Sequence, residues 1–132
     1  MYKVTSGPTF FCDVDDTLVA WKVPEGYTGE LVEIICRGFP EQVAPNWKAV
    51  NHLKKMASRG HSVVVWSGGG SDWCEAVVKA LELEEYIEVI TSKPTYYMDD
   101  IRDPRKWIGK HSYISMDGKI TRDNDPASQL EE

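Results

Sequence analysis

The sequence predicts an α/β protein built on a parallel sheet, and three observations predict it. Phe10-Phe11-Cys12 is an apolar lead-in that breaks abruptly into Asp13, Asp15 and Asp16. His61 to Trp66 is a β-branched run that breaks into Ser67-Gly68-Gly69-Gly70, and Ile87 to Ile90 is a third apolar run that ends in Thr91-Ser92-Lys93-Pro94. Runs of this length read as strands buried in a sheet, and segments of helical period lie between them. At 132 residues, 42% hydrophobic and 27% charged, the chain fits one domain over residues 1–132, with little room for a second.

Gly7-Pro8 punctuates a short arm, and Thr9 to Cys12 form the first strand, which delivers Asp13. From Leu18 to Cys36 the apolar residues alternate without helical period. Val19, Trp21 and Val23 run into Pro24-Glu25-Gly26-Tyr27-Thr28-Gly29, and Leu31 to Ile35 resume the pattern, the signature of a hairpin over about 18–37. Such a hairpin either hangs over the acidic turn as a flap, with Trp21 or Tyr27 touching a ligand, or buries Trp21 for stability. Arg37-Gly38-Phe39-Pro40 reads as a break. Asn46 offers a cap for a helix to about Arg59, with Trp47, Val50, Leu53 and Ala57 on one face and Gly60 as its stop.

A second helix, from about Asp72 to Leu83, buries Trp73, Val77, Ala80 and Leu81. After the third strand, Thr95-Tyr96-Tyr97-Met98 reads as a short strand leading into a second acidic pair, Asp99-Asp100. Asp103-Pro104 to Gly109 carries the cap, first-turn proline and terminal glycine of a short helix. His111 to Ser115 reads as a last strand, Asp117-Gly118 as a turn, and the polar, acidic stretch from about 122 to 132 as a frayed tail.

The chemistry gathers at the strand ends, where ligands bind in open α/β sheets. Clustered carboxylates there need a compensating cation, and a hard divalent metal is the simplest one. Asp13 and Asp15, two apart, suit a metal ligand and nucleophile on the one hand and a proton shuttle on the other. A turn merely rich in Asp is the plain alternative. Ser67 can donate to a phosphate oxygen, and glycines such as Gly68 let the backbone approach an anion. Lys93, pinned by Pro94, can offset negative charge on a bound phosphate and on the nucleophile, although a lone lysine is more often a solvated charge. With Asp99-Asp100 as a second acidic pair, a magnesium site follows, because magnesium takes few protein carboxylates and fills its octahedron with water and phosphate.

Charge and cysteine usage exclude several classes. A net charge of -6 argues against binding by broad coverage of a phosphate backbone. Cys12, Cys36 and Cys74 have no CxxC spacing, so neither a zinc site nor a disulfide framework is indicated, and an odd count fits a reducing cytoplasm. The amino terminus lacks the apolar core of a signal peptide, and no run approaches the roughly 20 apolar residues of a membrane span. The expectation is a cytoplasmic protein with no membrane partner.

In their order along the chain, Asp13-x-Asp15-x-Thr17, Ser67, Lys93 and Asp99-Asp100 resemble the four motifs of the haloacid dehalogenase superfamily of phosphohydrolases. The resemblance covers roughly residues 9–103 and is to the compact, capless branch, with only five residues between Lys93 and Asp99. It implies a three-layer Rossmann-like fold with helices on both faces of the sheet and the hairpin as flap. It also implies Asp13 as the nucleophile that forms an aspartyl-phosphate, and Asp15 as acid and then base. Thr17 would orient the loop, and Ser67, Gly68 and Lys93 would hold the phosphoryl group. Magnesium would bind Asp13, Asp99 and the Asp15 carbonyl, with Asp100 or Asp103 ordering a metal-bound water. The implied activity is magnesium-dependent phosphomonoester hydrolysis of a small phosphorylated metabolite or nucleotide, or less favourably of a nucleic-acid end. The rival is a catalytically idle metal- and phosphate-binding module with a protein-interaction role. A signalling receiver domain also groups acids, a hydroxyl and a lysine, but needs its acceptor aspartate after the third strand, where this chain has Thr91-Ser92-Lys93.

Overall fold

A computed structural model describes residues 2–116 and 118–122. Three strands form the parallel sheet: β1 (Thr9–Asp13), β5 (Ser62–Ser67) and β6 (Val89–Ser92), in the order β1-β5-β6. The register sets Asp13 beside Trp66 and Ser67 beside Ser92, so the three strands end together and their carboxyl ends share one rim. Helix α1 (Trp47–Ser58) connects toward β5, and α2 (Ser71–Ala80) connects β5 to β6 through a 3-10 turn at Glu84–Tyr86.

Both helices pack on the same face. Val50 and Leu53 of α1, and Trp73, Cys74 and Val77 of α2, share one core with the alternate strand residues Cys12, Val63 and Val65. The opposite face carries Phe11 tilted against Trp66 at 4.6 Å, with Phe11 half exposed. The expected three-layer sandwich with helices on both faces is therefore wrong: the described residues hold two α-helices and three small sheets, only one of them parallel.

The physical reason lies after β6. A parallel strand needs a crossover of about a dozen residues or more, and only Lys93 and Pro94 separate Ser92 from Thr95. The stretch 95–98 consequently forms no strand, and it leaves Tyr96 91% and Met98 97% exposed.

The flap also differs from expectation. Its hairpin is β3 (Val32–Cys36) with β4 (Phe39–Pro45), closed by Arg37-Gly38 with φ of 55° and 82°. Two residues with positive φ between antiparallel strands match strand twist, so the segment read as a break is a two-residue hairpin turn. Pro40 is tolerated because only β3 pairs there. The two-residue β2 (Val19–Ala20) reaches no further than Ala44 and Pro45, and it completes a β2-β4-β3 sheet.

At the C-terminal side, Asp103 caps a 3-10 turn over Pro104–Lys106 by accepting from the Arg105 amide at 3.0 Å. The last expected strand is β7 (Ser112–Ile114), paired with β8 (Ile120–Arg122), so the stretch expected to fray begins inside a strand. Asp117 and residues 123–132 lie outside the described residues. Asn46 stands at the α1 cap position without capping it, because its side-chain amide donates instead to the Ser115 carbonyl at 3.2 Å. Among the described residues no helix is long and apolar enough to cross a membrane.

The hairpin turn yields a stability prediction. Gly38→Ala places a Cβ in the left-handed region and is expected to cost about 1 kcal/mol in urea unfolding. Gly68→Ala, at ordinary φ and with nothing within 4 Å, is expected to be neutral. Equal effects of the two would contradict the turn assignment.

Candidate phosphoryl-transfer site

The acidic turn is built by the backbone before any side chain acts. The amides of Thr17, Leu18 and Val19 all donate to the Val14 carbonyl, and Asp16, at φ 60°, donates its amide to Val19 O at 2.7 Å. Val14, Leu18 and Val19 are buried beneath this tight loop, so the polar residues between them face out at the rim. Asp16 tolerates the left-handed region better than most residues because its short polar side chain costs little there.

Asp13 is met from two sides. Thr17 Oγ1 donates to its Oδ2 at 3.0 Å, and Lys93 Nζ lies 3.1 Å from its Oδ1. Lys93 is brought there by its own backbone, whose amide donates to the Ser67 carbonyl at 3.0 Å just past the end of β6. Strand register thus turns an 80-residue separation into contact. The pair is partly exposed, with side chains 30% and 43% accessible, so it stays open to an incoming anion.

Asp15 has a different environment. Its Oδ1 accepts the indole N–H of Trp73 at 2.8 Å and that of Trp21 at 3.0 Å, while Oδ2 accepts from Ser67 Oγ at 3.3 Å. Three donors fix its orientation. The two indoles stack at 4.6 Å with an interplanar angle of 20°, which locks the flap's Trp21 onto α2. Ser67, fully buried, also accepts the Gly69 amide at 2.9 Å. Gly69 is the close-approach glycine, because a Cβ there would sit 3.3 Å from Ser67 Oγ and 3.6 Å from Asp15 Oδ2. Gly68 faces open space beside it.

The thiols under the site are inert. Burial pushes Cys12 from 9.0 up to about 12, with the Asp13 carboxylate adding to the rise. Burial and the carboxylates of Asp15 and Asp13 push Cys74 up to about 11. Neither supplies a thiolate nucleophile near neutral pH.

Of the residues singled out in the sequence, Asp13, Asp15, Thr17, Ser67 and Lys93 come together, with Gly68 at their edge. Asp99 and Asp100 do not join them. Both are exposed, and Asp99 Oδ1 accepts the Ile101 amide at 2.8 Å in a local turn. Asp103 is engaged by Arg105, whose side-chain and backbone N–H groups hold its carboxyl below the usual range. Among the described residues no group of three or more His, Cys, Asp or Glu side chains is arranged to hold a metal. Asp13, partly exposed at the rim, could share an ion that arrives with a substrate phosphate.

The residues missed in the sequence are the two tryptophans as donors. Trp73 falls on the buried face of its helix, and its helical period reads as core. The available signal was chemical: a buried indole N–H needs an acceptor, and Asp15 is an acidic group at the facing strand end. No protein-family model matches this chain, and no curated protein matches it.

Replacing Trp73 by Phe keeps a ring and deletes the N–H. Because a hydrogen bond to a charged group is worth ~1.5–3 kcal/mol, Trp73→Phe is expected to lower the urea midpoint by the equivalent of about 2 kcal/mol with an unchanged slope. Trp47→Phe, at a half-exposed tryptophan, is expected to change stability by less than about 0.5 kcal/mol. Similar losses in both variants would contradict the role given to the indole.

Proposed function

We propose that the rim is a phosphoryl-transfer centre and the protein a phosphomonoester hydrolase acting through Asp13, as the resemblance to haloacid dehalogenase phosphohydrolases implies. The observation that carries the reading is the meeting of Asp13 with Lys93 and Thr17, beside a separately oriented Asp15 on Ser67. Two carboxylates in unlike environments suit two roles.

In the forward half-reaction an Asp13 carboxylate oxygen attacks phosphorus and the bond to the leaving oxygen breaks. That oxygen takes a proton from protonated Asp15, which leaves Asp15 ionised. In the second half-reaction water gives its proton to Asp15 as its oxygen attacks the acyl phosphate. Inorganic phosphate departs and Asp13 and protonated Asp15 are regenerated, so atoms and charge balance. The donors on Asp15 hold its carboxyl in one orientation through both half-reactions. Lys93 offsets charge on the phosphoryl oxygens as it redistributes, while Ser67 holds Asp15 in place.

Charge balance supports a requirement for magnesium. Asp13 brings one negative charge and a phosphomonoester up to two more, against the single ammonium of Lys93. The ion would be held by Asp13 and the substrate, and would supply charge neutralisation. The three cysteines are free, which supports placing the protein in the reducing cytoplasm. The idle-module reading is favoured by one observation, the position of Asp99 and Asp100 outside the cluster.

Turnover separates the two readings. The protein is expected to release phosphate from a generic aryl phosphate when magnesium is supplied and not when it is chelated. Asp13→Asn is expected to abolish release, and Asp15→Asn to slow it ~10²–10⁴-fold. Unchanged activity in Asp13→Asn, or none in the wild-type protein, would contradict the proposal.

A further inference from the structure

Beyond the Asp13 cluster the crevice continues in a form that phosphate hydrolysis alone does not require. A hollow of about 270 Å³ begins at Asp15 and Gly69 and is walled by Trp21, Phe39, Glu41 and Trp73. Its size falls just below that of drug-sized ligand cavities, which run ~300–1,000 Å³, and suits one ring system. The other hollow of note, between Arg37, Asp72, Glu75 and Lys79, contains none of the Asp13 cluster and is lined by charges of both signs.

The walls have the chemistry of a seat for a flat ring. Trp21 is 47% exposed, yet it is no free rotor, because it is stacked on buried Trp73 and its N–H is tied to Asp15. Phe39 is 73% exposed at the hairpin turn and makes no ring contact with Trp21 among the described residues, although both line the hollow. Glu41, two residues on, shares the Phe39 face of β4, and has no hydrogen-bond or ion-pair partner among the described residues. Two exposed rings and an unpaired carboxylate beside a phosphate site form an apolar cleft with one acceptor.

We infer that this hollow seats the nitrogen heterocycle of a nucleoside monophosphate. The inference rests on the phosphoryl-transfer reading for the other end of the ligand. The ring lies against Trp21 and Phe39, and N–H groups on its edge donate to Glu41. Guanine fits best, since its adjacent N1–H and N2–H donors match both oxygens of a carboxylate. Adenine and cytosine put an acceptor lone pair beside their single amino group, and a carboxylate repels it. The charge of Glu41, with the net charge of -6, favours a mononucleotide over a strand whose further phosphates would need positive partners.

The test compares phosphate release from guanosine 5′-monophosphate and from ribose 5-phosphate, and separately follows quenching of tryptophan emission by guanosine, which has no phosphate. The expected kcat/KM favours the nucleotide by about tenfold or more, and Phe39→Ala collapses that ratio toward one. Glu41→Gln is expected to erase the preference for the guanine over the adenine nucleotide. Guanosine is expected to quench saturably, about tenfold more weakly in Phe39→Ala. Equal kcat/KM values without saturable quenching would overturn the ring seat and leave the phosphatase reading standing. Saturable quenching that Phe39→Ala weakens, in a protein that hydrolyses neither compound, would uphold the seat and remove the phosphatase reading. Neither quenching nor hydrolysis would overturn both.

Discussion

Crowding of carboxylates at the end of β1 is the constraint around which the rest of the molecule is arranged. Asp13, Asp15 and Asp16 fall within four residues of chain, and like charges this close destabilise one another unless each finds a partner. The fold answers with a separate device for each of the first two. Asp13 receives an ammonium and a hydroxyl, while Asp15 receives two indoles and a serine. Each device draws on a different element, so the turn ties the flap, α2, the end of β5 and the end of β6 to one place. Charge satisfaction and tertiary assembly are the same set of contacts.

That economy has a functional side. If the rim takes phosphate as proposed, a lysine held to Asp13 by the backbone of Ser67 already stands where that anion would need it, and little ordering would remain at the moment of binding. Trp21 serves both halves of the crevice: its N–H orients Asp15, and its face continues into the hollow beside Phe39 and Glu41. On the reading proposed above, a change at Trp21 would disturb proton transfer and ring contact together, whereas Phe39 and Glu41 bear on the hollow alone.

The sequence made β1, β5, β6 and the two helices legible because their signals are local, a run of buried residues or a 3.6-residue period. It also made Asp13, Ser67 and Lys93 legible as a group, since each stands at or just past the end of a strand and parallel strands end on one rim. The misreadings have physical causes. Pro24 to Gly29 is richer in turn residues than Arg37-Gly38, yet the positive φ angles at 37 and 38 close the hairpin. Thr95 to Met98 has the composition of a strand, but two intervening residues cannot carry the chain back to a parallel position beside its neighbours. With that strand went the third layer and the expected approach of Asp99. The roles of Trp21 and Trp73 are set by an acceptor six residues away in one case and 58 in the other, which periodicity does not encode.

The central claim is that Asp13 is a covalent nucleophile and not merely the partner of Lys93. Borohydride reduction of the protein during turnover of an aryl phosphate converts an aspartyl-phosphate to homoserine, and peptide mass spectrometry then reads the residue at position 13. Homoserine at 13, dependent on substrate, is the predicted result. Phosphate release with Asp13 intact and no reduced residue elsewhere would contradict the account.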